Sequence, residues 1–226
     1  EEFLKQRVFF SLWVKYFKRY LFIILKKQSK LEVKSILPIH RDILWINISA
    51  PSLGDSLMDL SSRVMIEGRN IDLFTTYNVA DLFLNDNIFN NVYSSINMAA
   101  INSYNLIIVD SFSSRSIGVK CKIAPKANFV GMYGYFNGPE VNRVLFSFHQ
   151  MNNLLDYQKS EKDINFSSKT SISISKTDQD IINQINLPDN YIAIVLGGEW
   201  GYRTYNNWSK VIENILKKNK QLNIVL

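Results

Sequence analysis

The 226 residues hold little of the chemistry that builds cross-links and metal cages. Cys121 is the one cysteine, so no intrachain disulfide can form and a reducing compartment is the simpler setting. Only His40 and His149 join it, too few for a zinc site of ordinary ligands. Long hydrophobic spans are missing too. The N-terminal segment, the most apolar and helix-prone, has no uncharged run longer than Val8 to Val14, far below the roughly 20 residues a spanning helix needs. Lys and Arg break its centre, which also excludes a secretory signal. The Asn-x-Ser patterns at Asn47 and Asn207 are discounted for the same reasons.

What is present is a globular composition, 46% hydrophobic and 20% charged, on a chain long enough for one large domain or two modest ones. The net charge of +6 is unevenly placed. Residues 1–41 hold ten Lys/Arg against three acids, and the rest hold sixteen against seventeen. The body is therefore neutral, which argues against a nucleic-acid partner, since such binders spread basic residues over a folded face.

Residues 3–27 read as a helix without Gly or Pro, with Phe3, Phe10, Trp13, Phe17, Leu21 and Ile24 on one apolar stripe among Lys5, Lys15, Lys18, Arg19, Lys26 and Lys27. Such a basic amphipathic helix suits either an anionic membrane interface or packing on its own domain or a partner. Beyond Pro38 the pattern alternates: a strand at Ile43–Ile48, a helix over Asp55–Glu67 stopped by Gly68, a strand at Ile71–Thr75, a short helix at Val79–Leu84, and a brief strand at Val92–Tyr93. A buried strand at Leu106–Val109 ends at Asp110. A helix within Ser111–Lys122, a strand at Phe129–Tyr135 and a helix at Leu145–Leu155 follow. Residues 158–176 have linker composition. The pattern then restarts with a helix near Asp178–Ile185, a strand at Tyr191–Leu196, Gly197-Gly198, a helix at Trp208–Lys218 and a strand at Leu222. This predicts an α/β parallel sheet at 42–157, a linker at 158–176 and the start of a second α/β domain at 177–226, behind an N-terminal helix and connector at 1–41. The absence of a starting Met and the end at Leu226 inside an apolar run predict that residues are missing at one or both ends.

The chain turns on Asp42–Asp59, an apolar strand, a Ser-Ala-Pro-Ser-Leu-Gly turn, and Asp55 at a helix start. Gly54 would allow close approach or a positive φ. Asp55 gains from the helix N-terminus and serves either as a cap or as a site carboxylate. His40-Arg41-Asp42 with Asn47 matches kinase catalytic-loop letters by accident, since the rest of that motif set is absent and Asn47 falls inside a strand. Asp178-Gln179-Asp180 is formally a metal-binding D-x-D, but Thr177 with Asp180 reads as a capping box, so no metal is expected. Leu196 to Tyr205 is a glycine-bearing strand-to-helix loop, either a plain connection or a phosphate cradle with Arg203 as a bidentate partner. It lacks the P-loop Lys-Ser/Thr and the dinucleotide glycine spacing.

Four segments together resemble the ADP-heptose:lipopolysaccharide heptosyltransferase family, inverting GT-B glycosyltransferases with two Rossmann-type domains. They are Ser52-Leu53-Gly54-Asp55-Ser56-Leu57 after the first strand; Asn105 to Asp110 with Ser113-Ser114-Arg115-Ser116; Phe129-Val130-Gly131-Met132-Tyr133; and the Gly197 loop to Arg203, Tyr205 and Trp208. Arg203 stands where the family has Lys, the Tyr205–Trp208 interval is shorter, and most of the family's second domain has no counterpart before Leu226.

The resemblance implies that Asp55 is the general base for an acceptor hydroxyl. Gly197, Gly198, Arg203 and Thr204 would hold the donor diphosphate without a metal, and Ser52 and Arg115 would lie on the acceptor side. The implied partners are a nucleotide-sugar donor of the ADP-heptose kind, a glycolipid or oligosaccharide acceptor, and the inner face of the plasma membrane through residues 3–27, with no cofactor. The competing expectation is a non-catalytic, membrane-associated α/β binding module without a working donor domain.

Overall fold

The computed structural model describes residues 2–50, 52–135, 142–156, 159–185, 187–197 and 205–226, with side chains from residue 11 onward. It comprises two units, Glu1–Ser173 and Ile174–Leu226.

The first unit is built on five parallel strands, β1 (Asp42–Asn47), β2 (Asn70–Thr75), β3 (Phe89–Tyr93), β4 (Leu106–Val109) and β5 (Asn128–Gly131), in the order β3-β2-β1-β4-β5. Leu106–Val109 is apolar without alternation and buried throughout, as are Ile43–Ile46 in β1. Strands of that kind need cover on both faces. On one face Trp45, Leu73, Ile108 and Val130 pack beneath α2 (Leu53–Asp59), α3 (Tyr77–Phe83) and α6 (Arg143–Leu154). On the other, Leu44, Ile46, Ile107 and Phe129 meet α1 (Glu2–Leu25), α4 (Ile96–Ala99) and α5 (Ser114–Ile123). Because β2 and β4 flank β1 on opposite sides, the chain order reverses there. The carboxyl ends of β1 and β4 therefore open the crevice in which open α/β sheets bind ligands.

Several boundaries differ from those expected, each for a local reason. The helix expected over Asp55–Glu67 is two pieces: α2 ends at Asp59, and Ser61–Ile66 winds as a 3-10 turn. Ser61 Oγ donates to the Met58 carbonyl (2.7 Å), and Arg63 turns inward to a buried ion pair with Asp86 (2.7 Å). The strand expected to reach Tyr135 stops at Gly131, where an added Cβ would lie 2.5 Å from the Phe112 ring. Beyond it Tyr133 N–H donates to the Asp110 carbonyl (2.9 Å), and Gly134, at φ 56°, folds back to accept from Phe112 N–H (2.8 Å). Only glycine takes such a φ without cost. The brief strand at Val92–Tyr93 begins at Phe89, and the four-residue α4 was not expected; it is too short to show a period. α6 starts at Arg143, two residues early, because Asn142 Oδ1 accepts from Val144 N–H (3.0 Å) and Leu145 N–H (3.2 Å). Within the polar stretch 158–176, α7 (Glu161–Ser167) is capped by Ser160 and pinned by the buried Ile164.

The second unit carries α8 (Lys176–Gln184), β6 (Tyr191–Ala193), α9 (Trp208–Lys218) and β7 (Asn223–Val225), with β6 and β7 parallel. β6 is half the expected length, and β7 starts one residue after Leu222. The capping box of α8 is Ser175 with Asp178, not Thr177 with Asp180: Ser175 Oγ accepts from Asp178 N–H (3.0 Å) and Asp178 Oδ2 from Ser175 N–H (3.2 Å). The same three-residue spacing occurs two residues earlier, and there it closes.

α1 spans close to its expected length and has two faces. Ile23 is fully buried, Tyr16 lies 4.6 Å from Tyr135 ring to ring, and Arg19 Nη1 donates to the Tyr135 carbonyl (2.6 Å). Trp13 (58%) and Phe17 (61%) are exposed, with Leu21 and Ile24 beside them. No helix among the described residues is long and apolar enough to cross a membrane.

The end of α1 is tied to α5 by a buried lysine. Lys120 Nζ donates to Gln28 Oε1 (2.5 Å) and the Pro125 carbonyl (3.2 Å), and burial pushes its pKa down to about 8 from 10.5. A folded-state pKa below the unfolded one means that unfolding takes up a proton between those values, so Lys120 makes stability rise with pH across that window. Urea unfolding of wild type and Lys120→Met at pH 7.5 and pH 10 is expected to show this. The stability difference should shift in favour of the wild type at the higher pH, where its lysine is largely neutral.

Candidate functional site

The crevice between β1 and β4 is fixed by Asp110, the residue after β4. Its Oδ2 accepts from Ile48 N–H (2.8 Å) and Ser49 N–H (2.6 Å), the first residues beyond β1. Its Oδ1 accepts from Ser111 N–H (2.6 Å) and Ser116 Oγ (2.6 Å) on α5. One buried carboxylate thus joins two strand ends and a helix, with each donor satisfied. Ser116 also bonds Ser113, the cap of α5 (2.9 Å).

From this anchored loop the chain enters α2. Ser52 is the N-cap: its Oγ accepts from Asp55 N–H (3.3 Å) and donates to Asp55 Oδ2 (2.7 Å). Asp55 is therefore not the cap itself but the third helical residue, where the free N–H groups of the first turn favour an anion. Gly54 is outside the left-handed region, so the positive φ expected of it does not occur, and an added Cβ would meet no protein atom nearer than Ser52 Oγ at 4.0 Å.

Three residues not assigned to the site from the sequence complete the cluster. Arg143, at the start of α6, clamps Asp59 through Nε–Oδ1 (2.5 Å) and Nη2–Oδ2 (2.6 Å), while its Nη1 reaches Asp55 Oδ1 (2.7 Å). Tyr133 donates its hydroxyl to Asp59 Oδ1, lies 6.0 Å from the guanidinium and stacks on Phe146 at 5.4 Å. Asp59 is buried, whereas the side chains of Asp55 and Arg143 are 23% and 28% exposed. Burial raises the Asp59 carboxyl, and Arg143 and Tyr133 pull it back toward the ionised form. Burial also works against the charge of Arg143, but Asp59 more than offsets it and the guanidinium pKa is raised. Tyr133 is raised by burial and by the Asp59 charge, so its hydroxyl stays a donor. A sequence signal did exist: Asp55 and Asp59 are four apart on one helix, a repulsive pair unless a cation bridges it.

The other expected site residues stand apart. Arg115 is exposed in the first turn of α5 and shares no described contact with Asp55. Gly197 is exposed beyond β6, while Gly198, Arg203 and Thr204 lie outside the described residues. Beside Arg143, Asn142 and Leu145 line a cleft of about 440 Å³ with Asn165, Ser168 and Lys169. Among the described residues no group of His, Cys, Asp and Glu is placed to hold a metal ion.

Neither a protein-family profile nor a curated protein matches the chain by sequence. Solved structures do match its fold. Escherichia coli ADP-heptose lipopolysaccharide heptosyltransferase II shares 16% identity at a TM-score of 0.56, covering 81% of this chain and 63% of its own. A glycosyl transferase family 9 protein of Veillonella parvula shares 12% identity at 0.59, over 82% and 62%. E. coli heptosyltransferase WaaC, solved with ADP and with ADP-2-deoxy-2-fluoro heptose, shares 13% identity at 0.52 with the ADP form, over 80% and 67%. The chain thus has the α/β fold of the GT-B-like heptosyltransferases and spans about three fifths of the first two structures.

Removing Asp110 should open the crevice by leaving buried N–H groups unpaired. Asp110→Ala is expected to cost about 3 kcal/mol or more in urea unfolding. A loss below about 1 kcal/mol would mean that water replaces the carboxylate without penalty.

Proposed function

We propose that the protein is an inverting glycosyltransferase that moves a sugar, of the heptose kind, from a nucleotide diphosphate to a lipopolysaccharide-type or other glycan acceptor. The observation that carries this reading is Asp55: a partly exposed carboxylate on the first turn of a helix at the sheet's switch point, with its geometry set by Ser52 and Arg143. The fold shared with heptosyltransferases supports the transferase class, and the ADP and ADP-sugar complexes of WaaC support a nucleotide-sugar donor.

In the proposed reaction Asp55 takes the proton of an acceptor hydroxyl as its oxygen attacks the anomeric carbon from the face opposite the diphosphate. The new glycosidic C–O bond forms while the anomeric C–O bond to phosphate breaks. The diphosphate leaves with the bonding electrons, and the configuration inverts. Gly197, Gly198, Thr204 and Arg203 would meet the charge growing on the leaving group through backbone N–H groups and a guanidinium, a role otherwise filled by a metal ion. Ser52 and Arg115 would lie on the acceptor side of this scheme.

The same reading places the enzyme on the inner face of the plasma membrane through α1. Exposed Trp13, Phe17, Leu21 and Ile24, with exposed Lys15, Lys18, Lys26 and Lys27, form a surface suited to an anionic lipid interface.

Two measurements test the proposal. Asp55→Asn should cut transfer from ADP-heptose to heptose-deficient lipopolysaccharide roughly a hundred- to ten-thousand-fold without changing the unfolding midpoint. Wild-type rates in the variant would sink the base assignment, and a wild type that releases no ADP would favour a binding module. For the helix, deleting it is a poor test, because Ile23 belongs to the packed interior. Trp13→Ser with Phe17→Ser should instead reduce flotation on vesicles containing phosphatidylglycerol. Unchanged flotation would make α1 a packing element alone.

A further inference from the structure

We infer that Arg143, held by Asp59 and Tyr133, is the positioning residue for Asp55: its guanidinium fixes the carboxylate while lone pairs on the carboxylate stay open to the acceptor hydroxyl. The inference rests on the reading of Asp55 as the base.

The geometry is that of a clamp with one free arm. Two of the guanidinium nitrogens close on the two oxygens of Asp59 at 2.5 and 2.6 Å, an arrangement only a planar bidentate donor can make. Asp59 is buried and itself bonded by Tyr133, so this end cannot swing. Tyr133 is in turn fixed by its ring stack on Phe146 and by its N–H to the Asp110 carbonyl (2.9 Å). The third nitrogen, Nη1, is thereby aimed at Asp55 Oδ1 (2.7 Å), while Ser52 occupies Oδ2 (2.7 Å). Each Asp55 oxygen keeps a lone pair, and the side chain is partly exposed. An acceptor hydroxyl can therefore approach a carboxylate whose rotation is already arrested.

This arrangement also explains why two carboxylates stand one turn apart on α2. Asp59 is not a second base, because both of its oxygens are taken and it is closed to solvent. Its charge balances Arg143, so the free arm orients Asp55 without leaving the cluster with an uncompensated, partly buried cation. The segment carrying Arg143 is tied to α2 independently: Ser147 Oγ donates to the Asp59 carbonyl (2.7 Å) and bonds near Ser62, whose Oγ lies 2.8 Å away. The start of α6 thus holds its register even when the guanidinium is removed, which makes substitution informative.

The test uses the complete protein with ADP-heptose and heptose-deficient lipopolysaccharide, following ADP release. Arg143→Ala should lower kcat on the order of a hundredfold, as expected for a misplaced reacting group, with KM for both substrates within about threefold. Free guanidinium ion should restore part of the lost kcat in Arg143→Ala. Arg143→Lys should stay low, because an ammonium cannot grip Asp59 with two nitrogens and still reach Asp55. Asp59→Asn should fall with Arg143→Ala, and the double variant should be no worse than the latter, because the two act as one unit. Wild-type kcat in Arg143→Ala would overturn the inference, as would a loss of activity that follows a loss of Tm and resists guanidinium. If Asp55→Asn itself transfers at the wild-type rate, the base reading fails. If Asp55→Asn is dead while Arg143→Ala is not, only the positioning role falls.

Discussion

Everything at the mouth of this sheet depends on the Asp110 carboxylate. Parallel strands end with their loops diverging over opposite faces, and the first N–H groups beyond each end lose their ladder partners. Asp110 accepts three such backbone donors and the Ser116 hydroxyl, so the loops after β1 and β4 are held together at one buried point. Its charge reaches further. Arg19 of α1, bonded to the Tyr135 carbonyl, is lowered by burial and raised again by Asp110. A polar group buried this deeply is accommodated because each of its oxygens accepts two hydrogen bonds.

The backbone of the same residue starts the second set of constraints. Tyr133 N–H donates to the Asp110 carbonyl, and Gly134 closes the turn back onto Phe112. That places the Tyr133 hydroxyl on Asp59, which holds Arg143, which meets Asp55. Asp55 is thus set from two directions, by Ser52 within its own turn and by a side chain that enters from α6. The rigidity that an orienting site needs comes from bonded neighbours rather than from the loop that carries the residue.

The parts of this that the residues made legible are the ones with a local pattern. Leu106–Val109 and Trp208–Lys218 were bounded to the residue, because uninterrupted apolar runs and 3.6-residue stripes declare themselves locally. The end of β5 was not, since Phe129 to Tyr135 is apolar or small throughout and only the Phe112 ring against Gly131 says where it must turn. Asp55 and Ser52 were legible as a strand-to-helix junction in family order. Arg143 was not, because it joins Asp55 from 88 positions away and sits in sequence as one arginine before an apolar helix. Only the unexplained Asp55–Asp59 repulsion pointed to a missing cation, and it did not say from where.

The N-terminal helix shows why two readings of one pattern need not exclude each other. An apolar stripe among lysines is consistent with lipid or with packing when only one face is counted. In α1 the stripe through Trp13, Phe17, Leu21 and Ile24 stays exposed, while Ile23, Tyr16 and Arg19 serve the interior from the other side. The interior side lands on Tyr135, two residues from Tyr133 in one tight turn. A helix that looks like an appendage in the sequence therefore braces the turn on which the Asp59–Arg143 clamp depends. Loss of its inner face would loosen the site.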